Sequence, residues 1–499
     1  MSIAAGLIPV TQKASNVCAY CRVRKQRCDR TLPRCQRCFV KERHCDYTPF
    51  KEPIRQQDDD VTPLVQHFDT CLHADLTLRG AGELLHAATT WITSGGTPGA
   101  AAKLSEVVYE ILDLADVDLT LALDEFGTCI QQWCPVFPTS YLYGEIEDLS
   151  QQSQHKDRLR HPLLLLCLWL VTRRTCVQQA HTTQPQLYLA LKQVLALLHS
   201  SVQISVQILQ ISLLLAIYET GHGQSHAAYL TLSTSISLFN LLLLSPSHTP
   251  VPDWLTSSIL FLSTTLSTTH LIPGFPLALL PSDPLVISLA SSLPDTIPAP
   301  PPIPDATSPR KTHIRSATAV SASHVLSYTY ALTHNLPLPR NYTTADEKIN
   351  TLITLLIDKP QPHTWLHCDS IALAFCSHLI LQLTQMQYST LQGEEGEKVK
   401  VALRASRRMA WDMVQVGIRI ITCEEEISRL PFAGLGCVVR AGVAVLETRG
   451  WVDDGEDDGV VGEEEGRAFR RLVEWVSGRW GVAGGYLRRV DEVLERRGV

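Results

Sequence analysis

Between Cys18 and Cys45 the chain reads C-x2-C-x6-C-x6-C-x2-C-x6-C, with Cys18, Cys21, Cys28, Cys35, Cys38 and Cys45 as candidate ligands. The unit C-x2-C-x6-C occurs twice, so the segment is an internal repeat and predicts pseudo-two-fold symmetry. The opening MSIAAGLIPV has neither a basic n-region nor a long apolar stretch and reads as no secretory signal. Clustered cysteines in such a chain point to metal ligation rather than to disulfides. A structural zinc takes four ligands in a tetrahedron and favours thiolate. Two ions require eight ligand positions, which six cysteines fill when two are shared. Symmetry makes the shared pair equivalent in the two halves and points to Cys18 and Cys35. The expectation is therefore two Zn(II) per chain. The segment has almost no apolar core, so metal must supply most of its folding free energy, about 10 kcal/mol or more per ion. Residues 1–57 should be largely unfolded without it.

The surrounding charge suggests what the cluster serves. The 499-residue chain has a net charge of −7, yet residues 1–57 hold 12 of its 43 Lys+Arg and only four of its 50 Asp+Glu. A basic head on an acidic body is the footprint of a polyanion-binding module, most often for nucleic acid. Arg22 to Arg27 lies between two ligands and is expected to form a short helix starting near Cys18. A helix can enter the major groove, where Arg and Lys pair with guanine O6 and N7. The same run could act in nuclear import.

These residues resemble the fungal binuclear zinc-cluster DNA-binding domain. The match covers the whole cysteine pattern, the basic run after the second cysteine, and Pro33 two residues before the fourth. The resemblance implies two zinc ions bridged by the first and fourth cysteines, in agreement with the symmetry argument. It implies base contact by Lys25, with Arg24 beside it, on a CGG triplet of double-stranded DNA, and a nuclear location. By the symmetry of the repeat, the helix after Cys35, with Arg37 and Lys41, would lie against phosphates. Arg22, Arg27, Arg30 and Arg34 read as backbone clamps.

The elements behind the head set the domain plan. The expected fold is mainly α: a small zinc-cluster module at 14–49, a linker at 50–61, and a large all-helical regulatory body. The linker carries Pro49, Pro53 and the Asp58–Asp60 run at its margins and within it, and no heptad run follows, so a coiled-coil dimer is not indicated. Residues 62–270 read as helical. Leu104 to Leu123 is amphipathic, and Val202, Val206, Leu209, Leu213 and Ala216 recur at helical spacing. Gly221 and Gly223 end that helix, and Ala227 to Leu244 forms the next. WCPVFP at Trp133–Pro138, HPLLLLCLWL at His161–Leu170 and the two segments beginning at Val206 and Ala228 resemble the family's middle homology region. Residues 271–315 read as a Pro-rich loop or linker, since 11 of the 29 prolines fall in 271–310. Residues 316–499 read as a further helical part of the body, with helices over Ser316–Leu336, Ala345–Ile357, Ser370–Met386 and Lys398–Thr422. An acidic loop is expected at 453–465, and a charged helical tail over Arg467–Arg497, interrupted at Gly484-Gly485. No charge-free, unbroken apolar run reaches the length of a membrane span, and no membrane partner is expected.

The leading function is a sequence-specific DNA-binding regulator acting on RNA polymerase II promoters, in a metabolic or secondary-metabolite pathway by family habit. A homodimer, the transcription machinery and a small-molecule effector are further candidate partners. The alternative is a zinc-dependent protein-interaction module or ligand-gated cofactor without base readout. Hydrolase, phosphate-loop, zinc-protease and dinucleotide motifs do not occur, so no enzyme and no catalytic residue is expected. His222 and His226 stand four apart but have no evident third ligand or carboxylate, and the nearby glycines disfavour a helix there; of His367, Cys368, Cys376 and His378, the 368–376 spacing fits no common zinc pattern.

Overall fold

A computed structural model describes two units, Met1–Asp69 and Thr70–Val499. In the first, the described residues are 13–14, 17–18, 21, 27–31, 34–41 and 45. In the second they are 76–138, 162–173, 185–200, 205–244, 251–293, 298, 305–357, 367–388, 394–451 and 461–496.

The first unit is folded around its cysteines. Lys13 and Thr31 form an antiparallel bridge, closed by Ala14 N–H donating to Arg30 O at 2.8 Å. Helix α1, Gln36–Val40, follows Cys35. Four of the thiol residues, Cys18, Cys21, Cys35 and Cys38, are fully buried and Cys28 and Cys45 pack against them. No aliphatic side chain joins this cluster among the described residues, as expected of a module held by metal.

The second unit is helical, with no β-strand among its described residues. Its first helices are α2 (Leu78–Thr93), α3 (Pro98–Leu114), α4 (Leu119–Cys129), α5 (Pro162–Thr172), α6 (Gln186–His199), α7 (Val206–Gly221), α8 (Ser225–Leu244) and α9 (Asp253–Thr269). Then come α10 (Pro284–Ser292), α11 (Pro309–Thr333), α12 (Tyr342–Ile357), α13 (Cys368–Tyr388), α14 (Glu394–Ile420), α15 (Phe432–Glu447), α16 (Glu463–Arg479) and α17 (Val482–Glu495). Every residue of α5 is buried, and α7 is buried from Ile208 to Gly221. A helix apolar all round is a buried one, and here both lie in the core of the helical unit. The charged helices α14, α16 and α17 carry polar faces outward and pack Leu403, Phe469, Leu472 and Tyr486 inward.

Several expectations need correction. Leu104–Leu123 is two helices, because the chain turns at Ala115–Asp118 with Asp116 at φ 49°, and Asp118 caps Leu121 N–H at 3.0 Å. Within the Pro-rich 271–315, Pro284–Ser292 is a helix with proline in its first turn. Phe275, Leu277 and Leu279 before it are buried, so apolar burial outweighs proline content there. Gly484 and Gly485 lie inside α17; the tail breaks at Trp480-Gly481 instead. A Cβ at Gly485 would lie 2.8 Å from Leu271 Cδ1, so glycine there allows close packing within α17. Glu463–Glu465, expected in the acidic loop, form the first turn of α16, where their charge favours the positive helix end. The rest of that loop through residue 460, and the linker at 50–61, fall outside the described residues. Ser225–Leu244 is uncharged, 20 residues long and apolar enough by composition to cross a membrane. The expectation missed it because serines, threonines and an asparagine interrupt the run. In the structure Ala228, Leu232, Ser235 and Phe239 bury one side of it.

Candidate metal centre and nucleic-acid interface

The thiols form two groups of four. Cys18, Cys21, Cys28 and Cys35 make one, and Cys18, Cys35, Cys38 and Cys45 the other, with all sulfurs of a group within 4.8 Å of one another. Cys18 and Cys35 belong to both. The Sγ separations are 3.8 Å for Cys18–Cys35, 3.7 Å for Cys18–Cys38, 3.9 Å for Cys21–Cys35 and 3.8 Å for Cys28–Cys18. A tetrahedron with Zn–S bonds of about 2.3 Å has an S···S edge of about 3.8 Å. A disulfide would need about 2.05 Å. The donor set therefore fits zinc in spacing as well as in chemistry, and every measured separation is an edge of one of two tetrahedra that share the Cys18–Cys35 edge.

Backbone donors orient the sulfurs. Cys35 is the N-cap of α1, and its Sγ accepts from Cys38 N–H at 3.4 Å. Cys45 Sγ accepts from Cys35 N–H at 3.3 Å. Burial pushes the Cys38 thiol up to about 12 and Cys18 higher still.

One residue that the sequence reading passed over has a clear role. Both carboxylate oxygens of Asp29 accept from Gln36 N–H, at 3.1 and 3.2 Å, and one accepts from Thr31 Oγ1 at 2.8 Å. Burial opposes ionisation, but these donors hold the Asp29 carboxyl below its ordinary range. Asp29 thus ties the joining loop to the free N–H end of α1, and Arg30 next to it turns through φ 61°. The signal was an acid inside a basic repeat, six residues before the cysteine that opens a helix.

Arg27, Arg30, Arg34 and Lys41 are exposed, and Arg37 is half-buried. The helix after Cys35 forms as expected. Arg22, Arg24 and Lys25, and Pro33, lie outside the described residues, so the base-contacting run has no geometry to report.

The constellations set aside in the sequence have structural roles. His222 caps α7, its Nδ1 bonded to Tyr218 O at 2.9 Å, and stacks on the Tyr218 ring. His226 sits edge-on to Phe275. His378 joins Asp346 and Ser406, each at 3.1 Å. This Ser–His–Asp contact is no nucleophile: Ser406 is buried and its hydroxyl donates to Ala402 O at 2.8 Å. It bolts α12, α13 and α14 together.

Residues 16–53 match the fungal Zn(2)-Cys(6) binuclear cluster domain. The chain is similar to "Transcription factor BOA15" of Botryotinia fuckeliana (strain B05.10), 33% identical over 133 residues, which cover 27% of this chain and 69% of that relative. No solved structure matches it. With the thiols spaced for two tetrahedra, these similarities place the protein: it belongs to the fungal binuclear zinc-cluster transcription factor family.

Proposed function

We propose that this protein is a nuclear, sequence-specific DNA-binding regulator of RNA polymerase II promoters that reads CGG-type triplets. Lys25, with Arg24 beside it, makes the base contact, and Arg22, Arg27, Arg30, Arg34, Arg37 and Lys41 contact phosphate. Cys18 and Cys35 bridge the two zinc ions. The head spans 14–49, and the helical body has a regulatory role like that of the middle homology region. The observation that carries this reading is the shared Cys18–Cys35 edge, which holds both halves of a basic repeat on one rigid centre. Exposed cations around such a centre suit a phosphate backbone. The name of the relative agrees with a role in transcription.

The test is selection of binding sites from a random duplex library with zinc-loaded protein. Enrichment of CGG triplets supports the reading, and their number and spacing report monomer or dimer. Two bound zinc ions without CGG enrichment would overturn the base readout and favour a zinc-dependent interaction module.

A further inference from the structure

One long helix of an acidic body carries no charge. Residues 58–499 hold 31 Lys+Arg against 46 Asp+Glu, yet α8, Ser225–Leu244, contains none of these residues. Its inward side packs Ala228, Leu232, Ser235 and Phe239 into the unit. Its other side is open: Leu230 is 65% exposed, Leu241 49% and Leu244 79%. By helical spacing these leucines fall on one stripe with Ser233, Thr234, Ser237 and Asn240. Ser237 and Asn240 are exposed, and Ser233 and Thr234 are half-buried. The outward face of a surface helix is ordinarily charged or strongly polar, and this one is leucine interleaved with small neutral residues.

The stripe does not suit lipid. Helices that lie on a membrane carry Lys and Arg beside their apolar face, and the centre of this stripe is hydroxyl and amide. Two of those hydroxyls are already satisfied: Thr234 Oγ1 donates to Leu230 O at 2.9 Å, and Ser237 Oγ donates to Ser233 O at 3.1 Å. Covering them strands no donor. The order of residues is also symmetric about Ser237. Leu230 and Leu244 stand seven residues to either side of it, and Ser233-Thr234 mirrors Asn240-Leu241. Two such stripes laid antiparallel set Leu230 against Leu244 of the second copy, Leu241 against the smaller Thr234, and the Ser233 hydroxyl against the Asn240 amide. Ser237 then lies on the axis, where a small residue lets the two backbones approach. A surface that complements itself in this way is what a two-fold interface requires.

We propose that the outer face of α8 is a homodimer interface, in which two copies of the chain pack α8 antiparallel about a two-fold axis at Ser237. Charge selects the second copy. Two acidic bodies repel one another across charged surfaces, and a neutral face is where they can meet. The same face offers a basic partner no attraction. Area sets the strength: a 20-residue helix is about 30 Å long and about 10–12 Å wide, at the small end of specific interfaces. The dimer is therefore a reversible one that dissociates on dilution. It needs no coiled coil behind the head, and it does not rest on the DNA reading.

The experiment is sedimentation velocity of zinc-loaded full-length protein over about 1 to about 100 μM, the range of a small interface. A concentration-dependent monomer–dimer equilibrium is expected. Leu230→Lys and Leu244→Glu should each weaken it at least about tenfold, because each sets a charge against a leucine. The double variant should recover to within about threefold of the natural chain. Its two new charges face each other across the axis, twice per dimer, and lie about 21 Å apart along one helix, too far to pair there. Leu355→Lys, at an exposed position on α12, should leave the equilibrium unchanged. A monomer at every concentration would overturn the proposal. So would single variants that dimerise normally, a double variant no better than either single one, or an equal loss with Leu355→Lys. The altered side chains face solvent, so the fold should hold, which Tm checks. Should a single variant fail to fold, Ser237→Arg, which sets two like charges on the axis, decides by the loss of the dimer. A monomer that floats with phosphatidylcholine vesicles, and ceases to with Leu230→Lys or Leu244→Glu, would assign the face to lipid instead.

Discussion

Cys18 and Cys35 belong to both groups of four sulfurs, whereas each of the other four thiols belongs to one, and the proposed bridging role follows from that sharing. Cys18→Ala or Cys35→Ala should therefore drop bound zinc from two ions to fewer than one per chain. Cys28→Ala or Cys45→Ala should each spare more of the metal, because only one tetrahedron loses a ligand. Metal analysis after gel filtration checks this, and equal losses at all four positions would refute the bridging assignment. Asp29 is a second residue-scale test. Asp29→Ala removes acceptors at the start of α1 and should cost about 1 kcal/mol, the usual worth of an N-terminal cap. It should be read as weaker retention of zinc against a chelator, with stoichiometry unchanged. The cysteines were legible in the sequence because metal ligation imposes fixed spacing. Asp29 was not read, because an acid inside a basic repeat does not by itself show that the turn at Arg30, φ 61°, brings the loop back to Gln36.

Elements were legible where one principle acted alone. The runs before Gly221 and after it are helices because apolar periodicity and turn residues agree. The Pro-rich stretch was misread because Pro284 occupies a first helical turn, where its missing N–H costs nothing. The tail break was misplaced because glycines tolerated for close packing look, in sequence, like glycines that end helices. Gly442 makes the point testable: a Cβ there would run into the Phe469 ring between α15 and α16. Gly442→Ala should destabilise the helical unit by about 1–3 kcal/mol through overpacking, seen as a lower Tm with zinc content intact. An unchanged Tm would mean that the Phe469 ring relaxes freely. The end of α7 carries a pH prediction. Burial lowers His222 to about 4, against about 6.5 in the unfolded chain, and burial likewise lowers His324 on α11 to about 4. The unfolded state then binds more protons between those values, so stability falls as pH drops from about 6.5 to about 4. His222→Asn, which can still donate to Tyr218 O, should make that fall shallower by about one proton in a pH series of denaturant melts.

For the whole molecule, metal and apolar burial stabilise different units, and this separates their responses. The helical unit has an extensive apolar core of its own, while the described cluster of the first unit consists of cysteines. A chelator should abolish DNA binding yet leave most of the far-ultraviolet helical signal, and re-added zinc should restore binding. Salt then distinguishes the two kinds of contact proposed for the head. Each neutralised phosphate contributes about −0.9 to the slope of log K against log salt. Arg34→Gln, at an exposed position on the rim, should weaken all duplexes alike and make the slope shallower by about 0.9. Lys25→Ala should instead reduce the preference for CGG over scrambled duplex, by roughly 1–3 kcal/mol if it reads guanine. Fluorescence anisotropy on matched duplexes across a salt series measures both quantities in one experiment. If Lys25→Ala shifted every duplex equally while Arg34→Gln changed the preference, the assignment of Lys25 as reader and Arg34 as clamp would be overturned, because sequences of equal charge are told apart by base-edge contacts or by DNA shape and not by charge neutralisation alone.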